Sequence, residues 1–188
     1  FGWGANNYGQ LGRGFTSTPE PIPTIIEGDL KGKRIVSIAA CAFHALAADD
    51  DGNVYAWGTN SESDNSTSGW LGVSSATLPY SYQPKLVQSV VMTNVTKVVC
   101  GMHFSATLTS TNRIYTWGGN LRGQLGIGMI RSTEPSPTRV SMSDNEGNIV
   151  QWVDIAPGER HMVGIDTKGG VWSWGDNDQR QTGMGNPG

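Results

Sequence analysis

A Trp-Gly pair closing a short aromatic strand occurs four times in this chain: FGWGANN from Phe1, VYAWGTN from Val54, IYTWGGN from Ile114 and VWSWGDN from Val171. The pairs are Trp3-Gly4, Trp57-Gly58, Trp117-Gly118 and Trp174-Gly175, with the tryptophans 54, 60 and 57 residues apart. A near-constant period of this length marks a repeat architecture, in which each unit buries its apolar surface against its neighbours. That periodicity constrains the fold before any local motif is read.

Residues 38–60, 98–120 and 155–177 align without a gap over 23 positions. Each copy reads as an apolar strand, a turn, a second strand, a two-residue hairpin and the aromatic strand. The hairpins are Asp51-Gly52, Thr111-Asn112 and Lys168-Gly169; Gly or Asn in second place supplies the positive φ that a tight hairpin demands. On the aromatic strand, Tyr55, Tyr115 and Trp172 share a face with the tryptophan two residues on, and smaller side chains point the other way. One bulky and one small face suit sheets stacked on one another.

Three residues past each Trp stands Asn6, Asn60, Asn120 or Asn177, and a Gly-rich loop follows, as in YGQLGRG and RGQLGIG. A Ser/Thr/Pro segment then leads to a further apolar stretch, and strands are predicted over 22–26, 85–91 and 138–142. Four strands in about 57 residues is the content of a propeller blade. The composition agrees: 26 glycines and only 15% charged residues suit short strands, tight turns and sheets covered on both faces.

These columns resemble the regulator of chromosome condensation repeat: a Gly, a His three residues later, an aromatic strand to Trp-Gly-x-Asn, then Gly-Gln-Leu-Gly-x-Gly. The resemblance spans essentially the whole chain and implies an all-β fold, a seven-bladed β-propeller of four-stranded antiparallel blades. This chain would supply about three and a fraction of them. The repeats divide as 1–37 (the end of one repeat and a link), 38–97, 98–154 and 155–188, the last incomplete. Seven such units need roughly 400 residues, so the chain is expected to be part of a longer polypeptide.

The copies depart from the pattern at particular positions. The Gly column reads Cys41, Gly101 and Gly158, and the His column reads His44, Phe104 and His161, each 13 residues before its Trp. After Trp57 the loop from Gly58 to Gly72 spans 14 residues, against eight from Gly118 to Gly126. Trp70 there takes the place that Gln10, Gln124 and Gln181 hold elsewhere.

Little here points to side-chain chemistry. No Gly-Lys-Ser/Thr follows the Gly-rich loop, which argues against a phosphate site. His44 and His161 occupy one repeated column and are expected to be framework hydrogen-bonders. The three histidines and two cysteines show no Cys-x-x-Cys or His-x-x-x-His spacing, so no metal is expected, and Cys41 and Cys100 are expected as buried free thiols. No catalytic residue and no cofactor is assigned. A net charge of −3 leaves no electrostatic footprint for nucleic acid or an anionic membrane, and no apolar run reaches membrane-span length.

Another protein is the expected partner. Trp70 is the candidate contact residue, since Trp is enriched among interface anchors; its alternative is an indole folded down over the blade. The resemblance implies an intracellular interaction scaffold, with two further readings. One is a guanine-nucleotide exchange factor for a Ran-like small GTPase; the other is the substrate-recruiting propeller of a ubiquitin ligase or ciliary protein.

Overall fold

The computed structural model describes residues 1–60, 69–73, 80–89 and 91–184. Its regular structure is antiparallel sheet with one 3-10 turn, and among the described residues no helix is long and apolar enough to cross a membrane. The first four-stranded blade has the order β3 (Ile35–Ala40), β4 (His44–Asp49), β5 (Val54–Thr59) and β6 (Tyr80–Leu86). The second repeats it with β7 (Val95–Cys100), β8 (Phe104–Thr109), β9 (Ile114–Gly119) and β10 (Thr133–Arg139). β11 (Trp152–Pro157), β12 (His161–Asp166) and β13 (Val171–Gly175) make a third sheet, and β1 (Gly2–Asn6) pairs with β2 (Ser17–Thr24) ahead of the first blade. This is the expected all-β blade architecture.

The hairpins follow from their second residues. Gly52, Asn112 and Gly169 have φ of 82°, 61° and 84°. At the other end of each strand pair, His44, Phe104 and His161 lie opposite Gly58, Gly118 and Gly175. The β3–β4, β7–β8 and β11–β12 turns and the Gly-rich loops therefore share one face of the stacked blades, and the hairpins occupy the opposite face.

The core lies between blades, where the small face of one sheet meets the bulky face of the next. Leu46, Ala48 and Ala56 of the first blade pack with Tyr115 and Trp117 of the second. Phe104, Ala106 and Ile114 pack with Trp152, Met162 and Trp174. The expectation of alternating large and small layers thus holds at residue level.

The outer strands differ from the sequence reading. They begin earlier than the apolar stretches, at Ser17, Tyr80 and Thr133, and they are rich in proline, as in STPEPIPT. An outer strand pairs on one side only, so positions without an N–H are tolerated there. The six extra residues of the longer loop after Trp57, expected within the polar stretch 61–68, lie outside the described residues.

Candidate functional site

Three side-chain columns hold the blades, two of them on the loop face and one at the hairpins. Asn6, Asn60 and Asn120 each accept a backbone N–H through Oδ1, from Leu11, Leu71 and Leu125 respectively, at 3.1, 2.9 and 3.2 Å. Asn6 and Asn120 also donate through Nδ2 to the carbonyls of Phe15 and Met129. One amide thus clamps each Gly-rich loop from inside.

The tryptophans lock one repeat to the next. Trp57 Nε1 donates to the Gln10 carbonyl, Trp117 Nε1 to that of Trp70 and Trp174 Nε1 to that of Gln124, at 2.9, 3.0 and 3.1 Å. The acceptor is the same loop column each time, contributed by the preceding repeat. Trp57, Trp117 and Trp174 are buried, whereas Trp3, which no sheet covers in the described structure, is 61% exposed.

A third column, missed in the sequence, staples each hairpin. Asp49 accepts the Asn53 backbone N–H at 2.8 Å, its side-chain N–H at 3.0 Å and the Tyr55 hydroxyl at 2.9 Å. Asp166 likewise accepts the Gly170 N–H and Trp172 Nε1, both at 2.7 Å, and Thr109 fills the place between them in sequence. Burial alone would raise the Asp49 carboxyl, but the bonds from Asn53 and Tyr55 with the Lys33 ammonium outweigh it and hold the pKa below 3.8. A depressed carboxyl stabilises the fold above its unfolded pKa, and that contribution is lost as pH falls through the folded value. Asp49→Asn is therefore expected to cost about 1–3 kcal/mol at neutral pH. It should also weaken the further loss expected on acidification below pH 3.8; urea titrations of both proteins across that range check this.

On the loop face, Tyr8 meets Phe43 edge-on at 5.4 Å, Phe43 stacks on His103 at 5.8 Å, and His103 stacks on Trp70 at 4.4 Å. This aromatic row crosses from one repeat to the next. Beside it is a cleft of about 440 Å³ lined by Trp70, His103, Leu121, Arg122 and Arg160, among others. Tyr8 is 48% and Leu121 68% exposed. Arg122 and Arg160 present half-exposed guanidinium groups held by Asp178 and Glu159 at 3.3 and 3.6 Å. The Met102 N–H donates to the Glu159 carbonyl, tying two of the turns together.

Trp70 corresponds to its alternative reading. It is 2% exposed and folded down over the blade, forming part of the cleft wall while its carbonyl serves the framework. The expectation of an outstanding contact residue gives way to a row of neighbours with exposed edges.

His44 is fully buried in the framework, and its Nε2 lies 2.9 Å from Ser105 Oγ. The equivalent His161 lays its ring over Gly158, so closely that a Cβ at that glycine would sit 2.0 Å from the ring. Cys41 and Cys100 are not free thiols. They form a disulfide between adjacent blades, with Cα atoms 6.1 Å apart, a separation that suits such a bridge.

The sequence pattern of the "Regulator of chromosome condensation (RCC1) repeat" matches residues 1–48 and 111–165, and a second pattern of the same description matches 35–63, 95–124 and 152–181. The human E3 ubiquitin-protein ligase HERC2 is 33% identical over 182 residues, which is 95% of this chain and 3% of that protein. The secretion-regulating guanine nucleotide exchange factor of Bos taurus is 33% identical over 183 residues, covering 96% of this chain and 37% of that one. Among solved structures, Prp20p of Saccharomyces cerevisiae superposes with a TM-score of 0.71 at 25% identity, over 98% of this chain and 41% of its own. The chain thus spans only a minor part of each of these relatives.

Proposed function

Because the chain belongs to the regulator of chromosome condensation repeat family, we propose that it is the docking part of a β-propeller, holding another protein on its loop face without chemistry of its own. The observation that carries this reading is the row of Tyr8, Phe43 and His103 beside Leu121, Arg122 and Arg160 on a face stiffened by the asparagine and tryptophan columns. Aromatic and arginine side chains are the residues enriched at interface centres, and a rigid scaffold keeps low the ordering cost of binding. HERC2 is a ubiquitin ligase by name, so substrate recruitment is one use of such a surface.

Nucleotide exchange is the second reading. It is favoured by the likeness to the secretion-regulating exchange factor and to Prp20p, whose structure is described together with its binding to Gsp1p and histones. An exchange factor works by binding the nucleotide-free GTPase better than the loaded one. The two readings separate on one assay, the release of labelled GDP from a Ran-like small GTPase mixed with the protein. No acceleration is the expected result, and acceleration would replace the scaffold reading with exchange. The docking face is tested by Arg122→Glu with Arg160→Glu, which should abolish retention of the protein's partners. Lys168→Glu, on the hairpin face, should leave retention intact.

A further inference from the structure

One departure from the repeat pattern is unexplained by docking: Cys41 stands where the other copies have Gly101 and Gly158. The glycine matters there because the side chain three residues later packs on it. A Cβ at Gly101 would lie 2.0 Å from the Phe104 ring, and one at Gly158 would lie 2.0 Å from the His161 ring. A cysteine in that column therefore brings its sulfur towards the imidazole of His44. The pair reads Cys41-x-x-His44, a ligand spacing passed over in the sequence.

Cys100 completes the group from the neighbouring blade. A ring nitrogen of His44 and the Sγ atoms of Cys41 and Cys100 all lie within 4.8 Å of one another. Ser105 Oγ donates to the Trp70 carbonyl at 2.8 Å, so its proton is committed there and it accepts from His44 Nε2–H. That fixes the tautomer and leaves the lone pair on Nδ1. His44 is 0% exposed, and its Nδ1 has no hydrogen-bond partner among the described residues. An unpartnered buried nitrogen is costly in a purely structural histidine. In a metal ligand it is the ordinary arrangement, with the second nitrogen oriented by an outer hydrogen bond as Ser105 does here.

We propose that, with the disulfide reduced, Cys41, Cys100 and His44 Nδ1 bind one zinc ion between the first two blades. Two thiolates and an imidazole are a soft set suited to zinc, and a solvent molecule can complete four-coordination. Zn–S bonds of about 2.3 Å at a tetrahedral angle need sulfurs roughly 3.7 Å apart, which the backbone separation of the bridged pair accommodates. A cleft lined by Cys41, Cys100, Met102 and Glu159 gives the ion a route in.

The chemistry balances simply. A dithiol reductant gives two electrons and two protons to the disulfide and is itself oxidised to a cyclic disulfide. Zinc then replaces the two thiol protons, which pass to solvent. The bridge and the metal are alternatives at one place, and both tie the same two blades.

The test uses cobalt(II) as a coloured stand-in for zinc, added to the anaerobically reduced full chain after removal of the reductant. The expected result is a thiolate-to-cobalt charge-transfer band that saturates at one ion per chain and is abolished by one equivalent of zinc. The oxidised protein should give no band. Cys41→Gly restores the residue that the other repeats carry, so it should fold, as circular dichroism would register. It should weaken binding by more than about 100-fold, beyond the loss typical of an outer-shell substitution. Cys100→Ala should do the same. A reduced protein with no charge-transfer band, or a band undiminished in both variants, would overturn the proposal.

Discussion

Trp117→Ala is expected to lower the unfolding free energy by roughly 3–5 kcal/mol. Trp117 is fully buried between two blades, packed with Leu46, Ala48, Ala56 and Leu71. Truncation removes the largest single contribution to that layer and opens a cavity that two rigid sheets cannot collapse. Its hydrogen bond contributes much less, because the Trp70 carbonyl that accepts Nε1 at 3.0 Å also accepts Ser105 Oγ at 2.8 Å. Trp117→Phe should therefore cost only about 1–2 kcal/mol. Denaturant midpoints of the two variants check the order. A Trp117→Phe loss as large as that of Trp117→Ala would show that the column acts through its hydrogen bond and not through the packing between blades.

That comparison also marks how far the sequence can be read. The period, the hairpins and the alternation of large and small faces were legible because each is written several times at one spacing. The outer strands were misplaced because apolar stretches drew the reading, whereas an outer strand needs one paired edge and tolerates Pro19, Pro21 and Pro23. The asparagine column was visible as a column, but its work was not, since Oδ1 and Nδ2 reach backbone groups in a loop of variable length. Asp49 and Asp166 escaped because Thr109 stands between them in the series, and a carboxylate and a hydroxyl do the same stapling.

The sulfur pair was hidden for a different reason. Cys41 and Cys100 are 59 residues apart, which looks remote in a linear search for ligand spacing. In a stack of repeats, residues one period apart on inner strands are neighbours, so 59 residues amount to one step sideways. That step places both sulfurs beside His44. Trp70 shows the converse: its rarity in a glutamine column suggested recognition, but the backbone there is framework, and the larger side chain packs where it lies.

Gly118→Ala should be as damaging as the loss of the tryptophan before it, for a reason lodged in the backbone. The glycine of each Trp-Gly pair has φ of 102–104°, and Gly118 stands at 103°. L-residues avoid this region, and holding one there costs about 1–3 kcal/mol. The methyl group would also meet the His103 carbonyl oxygen at 2.7 Å and Phe104 Cα at 2.9 Å, both backbone atoms of the paired strand. They can move aside only by disturbing the β8–β9 pairing, a further cost of about 1–3 kcal/mol. Together these give an expected loss of roughly 2–6 kcal/mol. Gly128→Ala separates the two causes. Gly128 also has positive φ, at 76°, but an added Cβ has nothing within 4 Å, so its cost should be about 1–2 kcal/mol. A Gly118→Ala loss no larger than that of Gly128→Ala would mean that the strand pair shifts freely. The Trp-Gly bend would then be a local preference and not the fixed corner on which each blade, and the loop face above it, is set.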